Sequence, residues 1–306
     1  MSEAPPSGEF THTVRRPGSA AGMVLTGLSA GFAGPRPGSD VPLVVALHGG
    51  TYTSTYFDIP GYSLLGRAAA VGIPIIALDR PGYKGSTPVP ESESIILANA
   101  EVLDQVIGEI WEDHGRSLSG VVLVAHSIGG AVATALAARR PSWPLLGLAT
   151  SGCLLKVPGD SREAWQALPK VPTIDLPSPM KDQVMFGPAW TYTEGMPAAS
   201  HPADAPVPRA ELIDITTTWI ARVRETAAQV SVPVFHRQGE FDALWVTDRG
   251  QVEQFGEAFT AAPSVDAGLQ PGTGHCIDFH RQSAAFQLAE LAFALRCAAP
   301  SKPPAE

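Results

Sequence analysis

The chain has 306 residues, of which 44% are hydrophobic and 17% charged, and its formal net charge is −9. The length suits one catalytic domain carrying an insertion, or two small domains, and the apolar content argues against a disordered chain. An acidic balance without a basic stripe argues against nucleic acid or an anionic membrane surface as partner.

Residues 1–9 read as a loose tail with no basic-then-apolar leader pattern, so no signal peptide is expected. Two antiparallel edge strands are expected near 11–14 and 23–28. Residues 43–47 (LVVAL) form a buried strand that runs into His48-Gly49-Gly50, and 73–78 (IPIIAL) another that runs into Asp79-Arg80-Pro81-Gly82. A helix over 94–114 follows, with Ile95, Ile96, Val102, Leu103, Val106, Ile107 and Ile110 close to a 3.6 period. Next come a strand at 121–125 (VVLVA), an Ala-rich helix at 128–140 and a weaker strand at 145–149. Residues 154–209 break this rhythm, being rich in proline and in Trp, Met, Phe and Tyr; a stretch of that length inside a compact domain reads as an ordered lid. The chain then returns by a helix at 211–230, a strand at 232–237, a helix at 245–259, a strand at 265–269 and a long helix at 278–297, ending in a tail over 299–306. Alternating strands and helices imply an α/β fold, a mostly parallel sheet with helices on both faces. The domain division is 1–153 and 231–306 for the core and 154–230 for the inserted cap.

Chemistry concentrates at Ala125-His126-Ser127-Ile128-Gly129-Gly130, between a buried strand and a helix. A serine at such a sharp turn is held in a strained backbone above the sheet, and the residues two places either side, here Ala125 and Gly129, must be small. Its hydroxyl needs a base. Of the eight histidines, His275 in Gly272-Thr273-Gly274-His275 lies in a loop after the last strand, at the carboxyl edge where sites of open α/β sheets gather. His126 adjoins Ser127, but neighbouring side chains at a sharp turn point apart; His48 is assigned to orienting its own loop. The base needs a carboxylate partner. Asp242, just past the 232–237 strand, preserves the chain order Ser, Asp, His; Glu240 and, further off, Asp160 are the alternatives. Oxyanion donors are expected from the backbone N–H of Ile128 and of Gly50, with Thr51 as the alternative to Gly50. Trp190 and Tyr192 are candidates for substrate contact, and Cys276 is read as a small buried residue.

These pieces, LHGG at 47–50, DRPGYKGS at 79–86, AHSIGG at 125–130, GEFD at 239–242 and GTGH at 272–275, resemble the α/β-hydrolase superfamily in order and spacing across residues 43–297. The resemblance implies an eight-stranded, mostly parallel sheet with a cap inserted after the sixth strand, and a serine-nucleophile member of the esterase or thioesterase kind. Haloalkane dehalogenases and epoxide hydrolases of that superfamily carry aspartate where this chain has Ser127. No metal or organic cofactor is implied. The expected activity is hydrolysis of an ester, lactone or thioester of a small to medium, partly hydrophobic substrate; the alternatives are an acyltransferase or cyclising thioesterase, and a non-catalytic small-molecule binder. Three widely spaced cysteines without a CxxC pair or a zinc pattern fit free thiols in the cytoplasm. No run of about 18 apolar residues suggests a membrane span, and a homodimer is compatible with these features.

Overall fold

A computed structural model of the protein describes residues 7–32 and 40–299. In chain order its elements are β1 (Gly8–Thr13), β2 (Val24–Ala30), β3 (Leu43–Leu47), α1 (Leu64–Ala70), β4 (Ile75–Leu78), α2 (Ile95–Ile110), β5 (Val121–His126), α3 (Ile128–Ala138) and β6 (Leu145–Ser151). Then come α4 (Ser161–Gln166), β7 (Thr173–Ile174), α5 (Ser178–Met185), α6 (Met196–Ser200), β8 (Val207–Pro208), α7 (Arg209–Thr216) and α8 (Thr218–Ala227). The chain closes with β9 (Val234–Gly239), α9 (Arg249–Glu257), β10 (Val265–Gln270) and α10 (Ser283–Ala298).

Eight strands form one sheet in the order β1-β2-β4-β3-β5-β6-β9-β10. β2 runs antiparallel to β1 and to β4; every other pairing is parallel. The central strands bury both faces, which is why they read as unbroken apolar runs. The period of two still sorts them: Leu43, Val45 and Leu47 join a core with α2, α3, α8 and α9, while Val44 and Ala46 join another with α1 and α10. α3 carries small residues because it lies almost on the strand ends. A Cβ on Gly129 would stand 2.3 Å from the Leu47 carbonyl oxygen and 2.4 Å from that of His48.

Several boundaries differ from the sequence reading. Gly8 and Glu9 belong to β1, although they fall inside the expected 1–9 tail; residues 1–6 of that tail and 300–306 of the other lie outside the described residues. β10 is no doubly buried strand: it is the sheet edge, and its side chains are exposed or half-buried. The expected helix 211–230 is two helices, α7 and α8, because Thr217 takes φ −127°, ψ −89°, outside the helical region. The expected helix 278–297 begins only at Ser283; ahead of it Ile277–Phe279 make a short 3₁₀ turn and His280 is extended (φ −94°, ψ 169°).

Between β6 and β9, residues 154–230 carry α4 to α8 and the two-residue β7–β8 ribbon. Prolines here begin helices, entering the first turn of α5 and α6 where no N–H is required. Among the described residues no helix is long and apolar enough to cross a membrane.

Candidate active site

β5 ends at His126 and α3 begins at Ile128, which leaves Ser127 alone to make the turn at φ 54°, ψ −124°. This is a left-handed backbone that L-residues adopt at a cost of about 1–3 kcal/mol. The turn is held by the Ser127 N–H donating to the Ser151 carbonyl at 2.8 Å. Space is equally constrained: a Cβ on Gly49 would come within 2.9 Å of the Ser127 Cβ. The three residues picked from sequence meet here. His275 Nε2 is 2.9 Å from Ser127 Oγ, and His275 Nδ1 is 2.6 Å from Asp242 Oδ2. All three are buried.

Asp242 is fixed on both oxygens. Its Oδ1 accepts the Leu244 N–H at 2.9 Å, and its Oδ2 accepts Gln238 Nε2 at 2.6 Å as well as the imidazole. With Asp242 ionised, the proton between it and His275 sits on Nδ1, leaving Nε2 to accept from Ser127. Glu240, two residues away, accepts the Gly272 N–H at 2.8 Å and takes no part in this chain of bonds. Asp160 sits exposed at the start of α4.

A small cavity, about 60 Å³, opens beside Ser127. Gly50, Thr51 and Ile128 line it, and among the described residues the backbone N–H groups of these three have no acceptor. Thr51 also stands at φ 66°, and its buried hydroxyl is unpartnered. The walls are apolar: Val157, Trp165, Leu176, Leu212 and Ile215 from the 154–230 segment, and Leu244 and Trp245 from the core. Trp190 and Tyr192 are not among them. Trp190 is 63% exposed and packs its edge on Phe241, and Tyr192 packs against Phe186 and His280. Trp190 and Tyr192, the two candidates for substrate contact, thus lie outside this cavity, whereas Trp165 and Leu212 line it, in positions that depend on how the segment folds over the sheet.

Two further histidines surround the site, both uncharged. Burial drives the His126 pKa well below its ordinary value, with His275 and His48 adding to the effect. Its ring stacks on Tyr56 at 4.8 Å and stands 4.7 Å from the His275 ring, while its Nδ1 is 3.0 Å from Ser151 Oγ. Burial and the neighbouring Arg80 push His48 far down too. His48 Nε2 accepts the Arg80 N–H at 3.0 Å while its Nδ1 is 2.7 Å from the Gly49 carbonyl, which assigns the proton to Nδ1. Cys276 is buried, with its thiol pushed up by burial to about 12. Among the described residues no group of three or more His, Cys, Asp or Glu is arranged to hold a metal ion.

Sequence reasoning missed Gln238, Arg80 and Glu211. Arg80 lay inside a quoted motif, but nothing in the pattern of α7 marks Glu211 as its partner 131 residues away.

A hydroxyl hydrogen-bonded to an imidazole that a carboxylate orients, beside free backbone N–H groups, can deliver a nucleophilic oxygen and stabilise an adjacent oxyanion. Comparison with known proteins bears on the family and the fold. Residues 44–290 match the model of the alpha/beta hydrolase family. Over 123 residues the chain is 32% identical to protein phosphatase methylesterase 1 of Mus musculus, a match covering 40% of this chain and 29% of that protein. The chain thus spans 29% of the length of that relative. Among solved structures, a thermophilic esterase from Thermogutta terrifontis superposes with a TM-score of 0.67 at 16% identity, covering 95% of this chain and all (100%) of that one. E-2-(acetamidomethylene)succinate hydrolase does so with a TM-score of 0.67 at 16% identity, covering 94% and 99%. At such identities these likenesses show the fold alone.

Proposed function

Because the chain belongs to the alpha/beta hydrolase family, we propose that it is a serine hydrolase that cleaves a carboxylic ester, lactone or thioester through an acyl-enzyme. The observation that carries this reading is the Ser127–His275–Asp242 relay at 2.9 and 2.6 Å, opening on an apolar cavity. Ser127 Oγ attacks the acyl carbon while its proton passes to His275 Nε2, and Asp242 stabilises the imidazolium. The N–H groups of Ile128 and Gly50 hold the oxyanion. His275 then protonates the leaving alcohol or thiol, which departs as the carbonyl re-forms. Water, deprotonated by the same imidazole, adds to the acyl carbon; collapse frees the acid and returns the proton to Ser127.

Ester chemistry is also supported by the similarity to a methylesterase. Among the described residues the cavity lining presents no charged side chain, which favours an uncharged, partly hydrophobic acyl group, since a carboxylate there would lose its hydration without a partner. Residues 154–230 act as the cap in this proposal, supplying much of that lining. A cytoplasmic setting belongs to it as well, supported by the buried free thiols Cys153 and Cys276.

A fluorophosphonate should label Ser127 in the folded protein, and p-nitrophenyl esters and thioesters of graded acyl length should turn over. No labelling and no turnover would sink the reading, and tight binding without turnover would favour a binding protein. Enclosure of Ser127, 9% exposed, and His275, 1% exposed, favours a second reading in which an alcohol or amine replaces water as acceptor. Product analysis with a competing nucleophile separates the two.

A further inference from the structure

Arg80 is a cation with no exposure at all, placed behind the turn that carries Gly50. Its guanidinium makes contacts in two directions. Toward the 154–230 segment, Nη1 and Nη2 donate to Glu211 Oε1 and Oε2 at 2.7 and 2.9 Å. Toward the sheet, Nε donates to the His48 carbonyl at 2.7 Å and Nη2 to the Gly49 carbonyl at 3.2 Å. Tyr83 completes the cluster, its hydroxyl donating to Glu211 Oε2 at 2.7 Å. Burial opposes the charge on Arg80, but Glu211 and Tyr83 outweigh it and hold the guanidinium protonated.

The Gly49 carbonyl and the Gly50 N–H share one peptide plane and, in the trans form, point in opposite directions. Whatever holds the Gly49 oxygen therefore aims the Gly50 N–H. Two donors hold it, Arg80 Nη2 and His48 Nδ1, and His48 is itself fixed by the Arg80 backbone N–H. Glu211 stands at the other end of the same guanidinium, on α7, immediately before Leu212, a wall of the cavity beside Ser127.

From this chain of contacts we infer that Glu211 is a positioning residue for the oxyanion donor: through the Arg80 fork it sets the direction of the Gly50 N–H and couples that donor to the cavity wall on α7. The inference rests on the serine-hydrolase reading of Ser127, with Gly50 as a donor. An interaction of this kind is realised when charge develops on the substrate oxygen, so its loss lowers kcat and leaves KM nearly unchanged.

The test uses the full chain with Glu211→Gln, which keeps shape and one acceptor oxygen but removes the charge. Substrates are p-nitrophenyl esters, and the probe for the oxyanion site is a phenylboronic acid. Ser127 Oγ bonds to boron as its proton passes to His275, and a boron-bound oxygen takes the oxyanion position. The expected result is a fall of 10-fold or more in kcat, KM within threefold of wild type, and a Ki for the boronic acid raised in parallel with the fall in kcat/KM. Tyr83→Phe, which removes the hydroxyl that donates to Glu211 Oε2 and accepts from Arg80 Nη2 at 3.2 Å, loosens the same fork and serves if Glu211→Gln does not fold, with about a threefold fall in kcat at unchanged KM expected. Unchanged kcat and boronate Ki in the folded variant, or a raised KM at unchanged kcat, would overturn the inference and leave Glu211 a wall support. Failure of wild type to label with fluorophosphonate would instead overturn the serine-hydrolase reading itself.

Discussion

Asp242→Asn tests the relay at the point where its geometry is most constrained. Asp242 Oδ1 accepts the Leu244 N–H at 2.9 Å, a backbone donor that cannot reverse its role. The new amide must therefore place its oxygen there and its NH₂ where Oδ2 now stands, facing His275 Nδ1 and Gln238 Nε2. Gln238 can flip its amide to accept from that NH₂, since its own Oε1 is buried without a partner, so the fold survives. His275 has no such freedom. Receiving a donor at Nδ1, the neutral ring must carry its proton on Nε2, which then points at Ser127 Oγ and cannot accept from it. Relays of this type lose about 10⁴-fold in kcat when the tautomer is reversed, or about 5.4 kcal/mol at 1.36 kcal/mol per decade. The assay is release of p-nitrophenol at pH 7–8 by variants shown by circular dichroism to be folded. Glu240→Gln, the control, alters a side chain that among the described residues hydrogen-bonds the Gly272 N–H and should stay within threefold of wild type. A folded Asp242→Asn enzyme retaining a tenth of wild-type activity, with Glu240→Gln inactive, would refute the assignment.

Gly129→Ala should destabilise the protein by about 3 kcal/mol or more, read as a lowered denaturant midpoint, because the new methyl meets the Leu47 and His48 carbonyls at 2.3 and 2.4 Å. Trp165→Ala should open the cavity wall and move the preferred p-nitrophenyl ester to a longer acyl chain, whereas Trp190→Ala, outside the cavity, should leave the chain-length profile unchanged. Glu290→Gln tests a pH-dependent liability. Burial, with Asp278 adding, raises the Glu290 carboxyl well above its ordinary 4.5, and its Oε2 has no partner among the described residues. A folded-state pKa above the unfolded one means the stabilisation is present below about pH 4.5 and is lost as pH rises. The variant should therefore match wild type near pH 4 and gain on it progressively toward pH 8 in thermal melts; equal melting curves at both ends would show that Glu290 is not held neutral.

The sheet was legible because its signals are local. LVVAL and VVLVA are strands whatever surrounds them, since five consecutive apolar residues ended by His48-Gly49 or His126-Ser127 can be buried on both faces and do little else. Ser127 was legible for the same reason, its turn being written in the small residues beside it. His275 and Asp242 could be chosen because their loops follow strands whose order in the sheet brings those ends together. The break at Thr217, the late start of α10 and the exposure of β10 were hidden, because each depends on what lies across space. So was the wall of the cavity. Trp190 and Trp165 are both aromatic residues in a proline-rich stretch, and only the packing of α4 and α7 over Ser127 separates the exposed ring from the one that lines the site. Arg80 and Glu211 make the limit plainest. A charge in a sequence reads as surface, and a buried fork at 2.7 and 2.9 Å exists only once the fold has brought two residues 131 positions apart into one dry pocket. Local chemistry is carried by neighbours in the chain and can be read there, whereas the pairing of distant charges and the shape of a cavity are properties of packing, which only the tertiary structure decides.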